Sequence, residues 1–292
     1  MFAGFDSFEV ATSGTTIHGV VGGEGEPLLL LHGYPQTHAM WHKVAERLES
    51  QFSLVIPDLR GYGTSGKPET DERHTPYSKR AMALDMHEVM QHFGFTSYQV
   101  AGHDRGARVA HRLAVDFADH VRRLAVLDIA PTLEMYQNTS EAFARAYWHW
   151  FFLIQDAPFP ERLIGSQPSE YWRHKCGRGS AGMTPFSPDA LAAYLAAFED
   201  PAVIHGSCED YRAAASIDLD HDKEDVDAKR LLQCPLLVLW ASTGAIERCF
   251  DPLLLWRQRA TNVTGHAVLG GHYLAEECPV TIASEFTGFF AD

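Results

Sequence analysis

The chain has no excess of positive charge and no long apolar run. Its 292 residues include 24 Lys and Arg against 38 Asp and Glu, which gives a net charge of −14. That charge disfavours nucleic acids and anionic membranes as partners. The longest purely apolar runs, such as residues 27–31, are far too short to cross a membrane.

Cysteine is scarce, and its pattern excludes a disulfide framework. The five cysteines are scattered and lack metal-type spacing: Cys176, Cys208, Cys234, Cys249 and Cys278. We expect free thiols in a reducing cytoplasm. The first residues contain no basic segment followed by an apolar core, so we expect no signal peptide and a cytoplasmic protein.

Short β-type runs alternate with helix-type stretches, which predicts an α/β fold with a mostly parallel sheet. The predicted strands cover residues 8–12, 17–21, 28–32, 53–57, 98–102, 124–128, 236–240 and 264–268. Helices are predicted over 40–48, 78–93, 107–117 and 280–290.

The strand signal vanishes after the sixth strand, where aromatic residues become frequent. We interpret residues 132–212 as a helical cap inserted between two parts of a core, 1–131 and 213–292. Ligands commonly bind at the carboxyl ends of parallel strands. A cap above those ends would shield such a site from water.

The most informative segment is Gly102-His103-Asp104-Arg105-Gly106, between a predicted strand and a helix. A glycine at each end permits the sharp turn of a nucleophile elbow. The central residue is an aspartate rather than a serine, and a carboxylate is already ionised at neutral pH. It can attack a tetrahedral carbon and become an ester. Arg105 and Arg108 beside it favour an anionic substrate.

Two further motifs stand at predicted strand ends. The loop that begins at His32-Gly33-Tyr34 can present the backbone N–H of Tyr34 to an oxyanion, with the N–H of Arg105 as the second donor. His272 follows two glycines near the C-terminus, where the chain order nucleophile, acid, base of α/β hydrolases requires a histidine. Each motif is weak evidence alone, since a histidine beside glycine is commonly a polar loop residue.

The acid that would orient His272 has more than one candidate. Asp128 ends the predicted sixth strand and is favoured. Glu247 and Asp251, in the loop after the seventh strand, remain alternatives. An aspartate at a strand end is also commonly a turn residue.

Taken together, these motifs resemble the haloacetate dehalogenases, including the fluoroacetate dehalogenases, over residues 5–290. The segments that carry the resemblance are Leu31-His32-Gly33-Tyr34-Pro35-Gln36-Thr37-His38, Met40-Trp41-His42, Gly102-His103-Asp104-Arg105-Gly106-Ala107-Arg108, Val126-Leu127-Asp128-Ile129, Tyr147-Trp148-His149-Trp150 and Glu209-Asp210-Tyr211-Arg212. The first of them is shared with epoxide hydrolases and haloalkane dehalogenases. The resemblance implies an α/β-hydrolase fold with an eight-stranded sheet and a helical cap.

The resemblance also implies roles for individual residues. Asp104 would be the nucleophile, His272 the base and Asp128 its acid. The substrate carboxylate would bind Arg105 and Arg108. The departing halide would accept hydrogen bonds from His149, Trp150 and Tyr211. The implied reaction converts a haloacetate to glycolate and halide, and it requires no metal and no organic cofactor. A homodimer is expected by resemblance alone.

Two other functions stay open on the sequence alone. An epoxide hydrolase would use the same nucleophile and would need cap tyrosines, for which Tyr147, Tyr171, Tyr194 and Tyr211 are candidates. A non-catalytic receptor for small acids would not need His272 and Asp128. The chain also departs from the family near Gly179, where a tryptophan is common, so we expect a wider pocket there.

Overall fold

A single eight-stranded sheet lies at the centre of the protein. We describe it from a computed structural model that covers residues 1–178 and 181–291. The strands are β1 (Asp6–Ala11), β2 (Thr16–Gly22), β3 (Glu26–Leu31), β4 (Phe52–Pro57), β5 (Tyr98–His103), β6 (Val121–Leu127), β7 (Leu236–Ala241) and β8 (Val263–Val268). All eight correspond to predicted strands.

The sheet is mostly parallel, as predicted. Its strand order is β1-β2-β4-β3-β5-β6-β7-β8, with antiparallel pairing only where β2 meets β1 and β4. Parallel strands that helices cover on both faces read as continuous apolar runs. Residues 28–31 of β3 and 236–239 of β7 are such runs and are buried. The prediction of an α/β-hydrolase sheet is therefore confirmed.

Helices follow the strands and cover the sheet. In chain order they are α1 (His42–Leu48), α2 (Lys79–His92), α3 (Arg105–Asp116), α4 (Thr132–Gln137), α5 (Glu141–Ala146), α6 (Trp148–Leu153), α7 (Phe159–Gly165), α8 (Pro168–Gly177), α9 (Pro188–Phe198), α10 (Pro201–Ala214), α11 (Ile217–Asp227), α12 (Ala245–Cys249), α13 (Pro252–Trp256), α14 (Leu274–Glu277) and α15 (Pro279–Phe290). Helix α2 packs against α3, and α1 packs against α15.

The helix predicted over 40–48 is divided. A 3₁₀ turn over His38–Trp41 precedes α1, and the side chain of Thr37 caps it by accepting a hydrogen bond from the backbone N–H of Ala39 at 3.3 Å. Helices α4 to α11 lie between β6 and β7, and α4 to α9 with most of α10 fall within the predicted cap. The predicted cap boundary at residue 212 falls within α10, and the division into three segments stays a prediction.

Close backbone packing explains the glycines of the predicted elbow. A Cβ atom at Gly106 would lie 2.3 Å from the carbonyl oxygen of His32, and one at Gly102 would lie 2.6 Å from the backbone nitrogen of Ala107. A Cβ at Gly33 would lie 2.6 Å from the Cβ of Asp104. Only glycine lets β3, β5 and α3 approach this closely.

Within the described residues, we find no helix that is both long and apolar enough to span a membrane. The cytoplasmic location and the homodimer stay predictions.

Candidate active site

Asp104 lies at the turn between β5 and α3, in a strained conformation. Its backbone has φ 47° and ψ −113°, and its side chain is buried. A non-glycine residue at positive φ costs on the order of 1–3 kcal/mol, which the surrounding packing must offset. The turn directs the carboxylate toward the β3 loop. There its Oδ1 accepts a hydrogen bond of 3.0 Å from the backbone N–H of Tyr34.

The β3 loop is itself fixed by His32. The ring nitrogen Nδ1 of His32 lies 3.1 Å from the carbonyl oxygen of Gly33, and its Nε2 accepts a 3.0 Å hydrogen bond from the backbone N–H of Leu59. Burial lowers the pKa of His32. A neutral imidazole has one donor and one acceptor, and both are used here. His32 therefore holds the loop that carries the Tyr34 amide.

His272 and Asp128 lie beside Asp104. The Nδ1 of His272 is 2.6 Å from the Oδ2 of Asp128, and its Nε2 is 3.9 Å from the Oδ2 of Asp104. The other oxygen of Asp128 accepts a hydrogen bond of 2.9 Å from the backbone N–H of Ala241. The structure thus brings the three predicted catalytic side chains together, with the second nitrogen of the imidazole facing Asp104.

The two alternative acids make other contacts. Glu247 accepts a hydrogen bond from the indole of Trp240. Asp251 caps α13 by accepting a 2.9 Å hydrogen bond from the backbone N–H of Leu254. The geometry therefore favours Asp128 as the partner of His272.

The electrostatics of the site keep Asp104 ionised. Burial alone would raise its pKa, but electrostatic interactions with nearby groups, above all the imidazole of His272, lower it to about 2. His103 lies beside it, and its pKa falls to about 4 through burial and the field of His272. At neutral pH, His103 is therefore uncharged. Its Nε2 lies 2.7 Å from the backbone carbonyl of His272, which steadies the loop that bears the imidazole.

Arg105 is fully buried and is bound chiefly by Asp210. Its Nε and Nη2 donate to the two carboxylate oxygens of Asp210 at 2.9 and 2.7 Å. Nη2 also donates to the backbone carbonyl of Asp210 at 2.9 Å. The remaining nitrogen, Nη1, has no partner among the described residues. The guanidinium lies over the ring of Tyr211, 4.2 Å from its centroid.

Arg108 is buried one helical turn further along α3. Its Nη1 donates to the carbonyl oxygen of Ala130 at 3.1 Å and to the hydroxyl of Thr132 at 2.8 Å. Its Nε has no partner within the described part of the chain, and the guanidinium lies over the ring of Trp150 at 4.7 Å. Each predicted carboxylate-binding arginine thus keeps one buried nitrogen that donates to no described residue.

The cap places the three predicted halide-binding side chains together. The rings of His149 and Tyr211 are 5.8 Å apart, and those of Trp150 and Tyr211 are 6.3 Å apart. All three side chains are buried, and each has a polar atom without a partner among residues 1–178 and 181–291: His149 Nδ1, Trp150 Nε1 and Tyr211 Oη. Burying an unpaired polar group costs about 1–3 kcal/mol. Three such groups in one place are typical of a ligand site.

Tyr136 is a site residue that the sequence analysis missed, although it belongs to the aromatic segment of the cap. Its hydroxyl is buried without a partner in the described chain, and its ring lies 5.0 Å from that of Trp150. Burial raises its pKa to about 12, although Arg105 and Arg108 oppose that shift. A single tyrosine among many cap aromatics carries no signal in the sequence by which to select it.

A cavity of about 420 Å³ adjoins the site from the side of His272. Its lining includes His149, Tyr147 and Tyr273 together with four basic residues: Arg145, Lys175, Arg178 and Arg248. Among the described lining residues, the one acidic side chain is Asp128, which is buried against His272. In a protein of net charge −14, this lining is a locally basic surface suited to anions. Asp104, Arg105, Arg108, Trp150 and Tyr211 do not line this cavity.

One group in the cap has the residue types of a metal site. Among the described residues, ligand atoms of Glu161, His205 and Glu209 lie within 4.8 Å of one another. The Nη1 of Arg212 already bonds a carboxylate oxygen of Glu161 and one of Glu209, each at 2.7 Å. The guanidinium supplies the positive charge that a metal ion would, so the group forms an ion-pair network.

The chain is similar to several known proteins over its whole length. A family model of the alpha/beta hydrolase fold matches residues 26–274. A fluoroacetate dehalogenase from Burkholderia sp is 43% identical over 293 residues, which span 100% of this chain and 96% of the relative. A soluble epoxide hydrolase from Corynebacterium sp. (strain C12) is 32% identical, across 96% of this chain and 95% of the relative. A crystal structure from Nostoc sp PCC 7120, provisionally assigned as an alpha/beta hydrolase, has a TM-score of 0.96 and 50% identity and covers 99% of each chain.

The eight-stranded sheet, the cap and the family match define an enzyme of the α/β-hydrolase class. Within that class, the chain belongs to the haloacetate dehalogenase family. The expected family tryptophan position, Gly179, lies outside the described residues.

We expect Asp104→Asn to change the pH dependence of stability. The folded pKa of about 2 lies below the unfolded value of about 4. The charged carboxylate therefore stabilises the fold above pH ~4, and this contribution is lost as pH falls through the folded pKa. Between pH ~4.5 and ~2, the unfolding free energy of the wild type should fall by up to about 2.5 kcal/mol relative to the variant.

Urea unfolding across that pH range measures this difference. Asp6→Asn, at an exposed residue of β1, is the control for removal of a carboxylate. A constant difference between wild type and Asp104→Asn from pH ~4.5 to ~2 would contradict the lowered pKa.

Proposed function

We propose that this protein hydrolyses haloacetates, such as fluoroacetate and chloroacetate, to glycolate and halide through an ester on Asp104. The observation that carries the proposal is the set of buried donors in the site that no described residue pairs with. His149, Trp150 and Tyr211 offer donors for a halide. Arg105 and Arg108 each offer one unpartnered guanidinium nitrogen for a carboxylate. The kinship with a fluoroacetate dehalogenase supports the same reaction.

In the first step, a carboxylate oxygen of Asp104 attacks the carbon that bears the halogen, from the side opposite the halogen. The new carbon–oxygen bond forms as the carbon–halogen bond breaks, and the halide leaves with the bonding electrons. Oδ2 suits this attack because Oδ1 is bonded to the Tyr34 amide. The two arginines would hold the substrate carboxylate by charge-assisted hydrogen bonds.

The leaving halide carries a developing negative charge into the cap. Hydrogen-bond donors fixed in a dry site stabilise such charge more than water does, because they need not reorganise. His149 suits this role as an uncharged donor, since burial lowers its pKa well below the usual value. Fluoride needs these donors most, because its charge is concentrated on the smallest halogen.

In the second step, water attacks the carboxyl carbon of the ester. His272 takes a proton from that water through Nε2, while Asp128 stabilises the imidazolium at Nδ1. Negative charge then develops on Oδ1, which already receives the N–H of Tyr34 at 3.0 Å. The Arg105 amide is the second proposed donor. Collapse of this intermediate breaks the bond between the carboxyl carbon and the ester oxygen, and glycolate takes the proton from His272. The Asp104 carboxyl then loses its remaining proton to solvent, which restores the carboxylate.

Epoxide hydrolysis is the alternative reaction, and the relative named as an epoxide hydrolase supports it. The hydroxyl groups of two of the four candidate cap tyrosines already have hydrogen-bond partners. Tyr194 donates to Glu276 at 2.5 Å, and Tyr171 pairs with the hydroxyl of Tyr34 at 3.0 Å. An uncharged epoxide also does not require two buried guanidiniums. We therefore favour the haloacid.

We predict that His272→Asn traps the ester. The first step does not use the base, so the variant should release one halide per site and then stop. With chloroacetate, intact-mass and peptide mass spectrometry should find a carboxymethyl group on Asp104.

His266→Asn is the matched control. It removes a half-exposed histidine of β8 that pairs with Glu285. It should turn over repeatedly and accumulate no adduct. Release of one halide per site by His272→Asn without any modified Asp104 would refute the ester mechanism, and diol formation from epoxides without halide release from haloacetates would favour the alternative.

We predict that Tyr211→Phe slows the hydrolysis of fluoroacetate more than that of chloroacetate. The substitution removes one O–H donor and keeps the ring that packs on Arg105. Loss of a single donor to a developing anion costs on the order of 10²-fold in rate. That loss should appear in kcat with fluoroacetate and be several times smaller with chloroacetate.

Tyr98→Phe is the control, since it removes a buried hydroxyl at the start of β5, where Tyr98 contacts His87 at 3.0 Å. It should affect both substrates equally and slightly. Equal losses for both halides in Tyr211→Phe would mean that Tyr211 packs or positions, rather than solvating the leaving group.

A further inference from the structure

A buried ionic cluster adjoins the guanidinium of Arg105. Asp210 binds Arg105 by two carboxylate contacts and also pairs with the ammonium group of Lys79. Lys79 lies 3.8 Å from a carboxylate oxygen of Asp218 as well. Tyr62 donates a 2.6 Å hydrogen bond to Asp210. All five side chains are buried.

The charges of this cluster cancel only if Lys79 is counted. Arg105 and Lys79 are positive, and Asp210 and Asp218 are negative, so the sum is zero. Without Lys79, two carboxylates would face one guanidinium, and the cluster would carry one negative charge. A buried negative charge opposes binding of a further anion at Arg105, because burial weakens the screening that water provides.

The contacts also fix how Arg105 is presented. Asp210 occupies Nε and Nη2, which leaves Nη1 as the donor without a partner in the described chain. Asp210 is in turn held in place by Lys79 and Tyr62. The geometry therefore sets both the orientation of the guanidinium and the electric potential around it.

We propose that Lys79 is a positioning residue for anion binding: it offsets Asp210 and Asp218, so that Arg105 can receive the carboxylate of a small organic acid. The inference rests on the proposed function for the identity of that acid. Lys79 touches no substrate in this arrangement and acts through Asp210. No local pattern in the sequence indicates this role, because 131 positions separate Lys79 from Asp210.

A purely structural ion pair is the competing interpretation, and paired substitutions distinguish the two. If Lys79 acts through its charge, Lys79→Gln weakens anion binding. Adding Asp218→Asn then restores binding, because the net charge of the cluster returns to zero. If Lys79 only stabilises the fold, the second substitution adds further damage. Asparagine at 218 can still accept the hydrogen bond that Asp218 receives from the backbone N–H of Lys79 at 2.8 Å.

The experiment uses the full-length protein. Titration calorimetry measures the dissociation constant (Kd) of acetate, and steady-state kinetics measures KM for chloroacetate. In Lys79→Gln, both constants should rise on the order of tenfold, with kcat changed much less. The double variant Lys79→Gln/Asp218→Asn should return to within about threefold of wild type. Asp218→Asn alone should bind acetate at least as tightly as wild type, and Lys79→Arg should keep most of the affinity.

Arg80→Gln is the matched control, because it removes a positive charge one residue away that pairs with Asp116 near the surface. It should leave both constants unchanged. Thermal unfolding shows which variants are folded. If Lys79→Gln does not fold, the acetate Kd values of Asp218→Asn and of the double variant still distinguish the charge effect from a purely structural role.

Unchanged acetate affinity in folded Lys79→Gln, or a double variant weaker than Lys79→Gln, would overturn the inference. Weaker acetate binding in Asp218→Asn would also overturn it. Acetate binding does not require turnover, so the inference is tested even if wild type releases no halide. That last result would refute the proposed function instead.

Discussion

Asp104 occupies a positive-φ backbone conformation that usually belongs to glycine, and the site depends on holding it there. At φ 47° and ψ −113° the residue is strained. Gly102, Gly106 and Gly33 pack so closely against neighbouring backbone and side-chain atoms that there is no room for a Cβ atom at these positions. The carboxylate therefore meets the Tyr34 amide on one side and His272 on the other. Hydrolysis of the proposed ester uses both of these contacts.

A second constraint is charge. The protein has a net charge of −14, yet the proposed substrate is an anion that must bind beside an ionised aspartate. Burying Arg105 and Arg108 near Asp104 meets this need, because a desolvated cation acts more strongly than an exposed one. Their desolvation is offset by Asp210, by backbone carbonyls and by aromatic faces. The basic lining of the outer cavity extends the same potential toward solvent.

Local patterns in the sequence predict the strands and the residues that stand at their ends. Parallel strands align their carboxyl ends, so the positions of Asp104 and His272 in the chain are enough to predict that they meet. The choice among Asp128, Glu247 and Asp251 cannot be made in this way, because it depends on which loop turns toward the imidazole. Long-range partners are also beyond sequence reasoning: nothing local indicates that Asp210 binds Arg105, or that Lys79, on the first turn of α2, pairs with Asp210.

A single turnover in heavy-oxygen water tests the central claim most directly. Wild-type protein in excess over chloroacetate would be allowed to react once, and both glycolate and the peptide that contains Asp104 would be analysed by mass spectrometry. If Asp104 is the nucleophile, the glycolate hydroxyl oxygen comes from its carboxylate, so the heavy oxygen should appear in Asp104 and not in glycolate. Heavy oxygen in glycolate with Asp104 unlabelled would contradict the account, because water would then have displaced the halide directly.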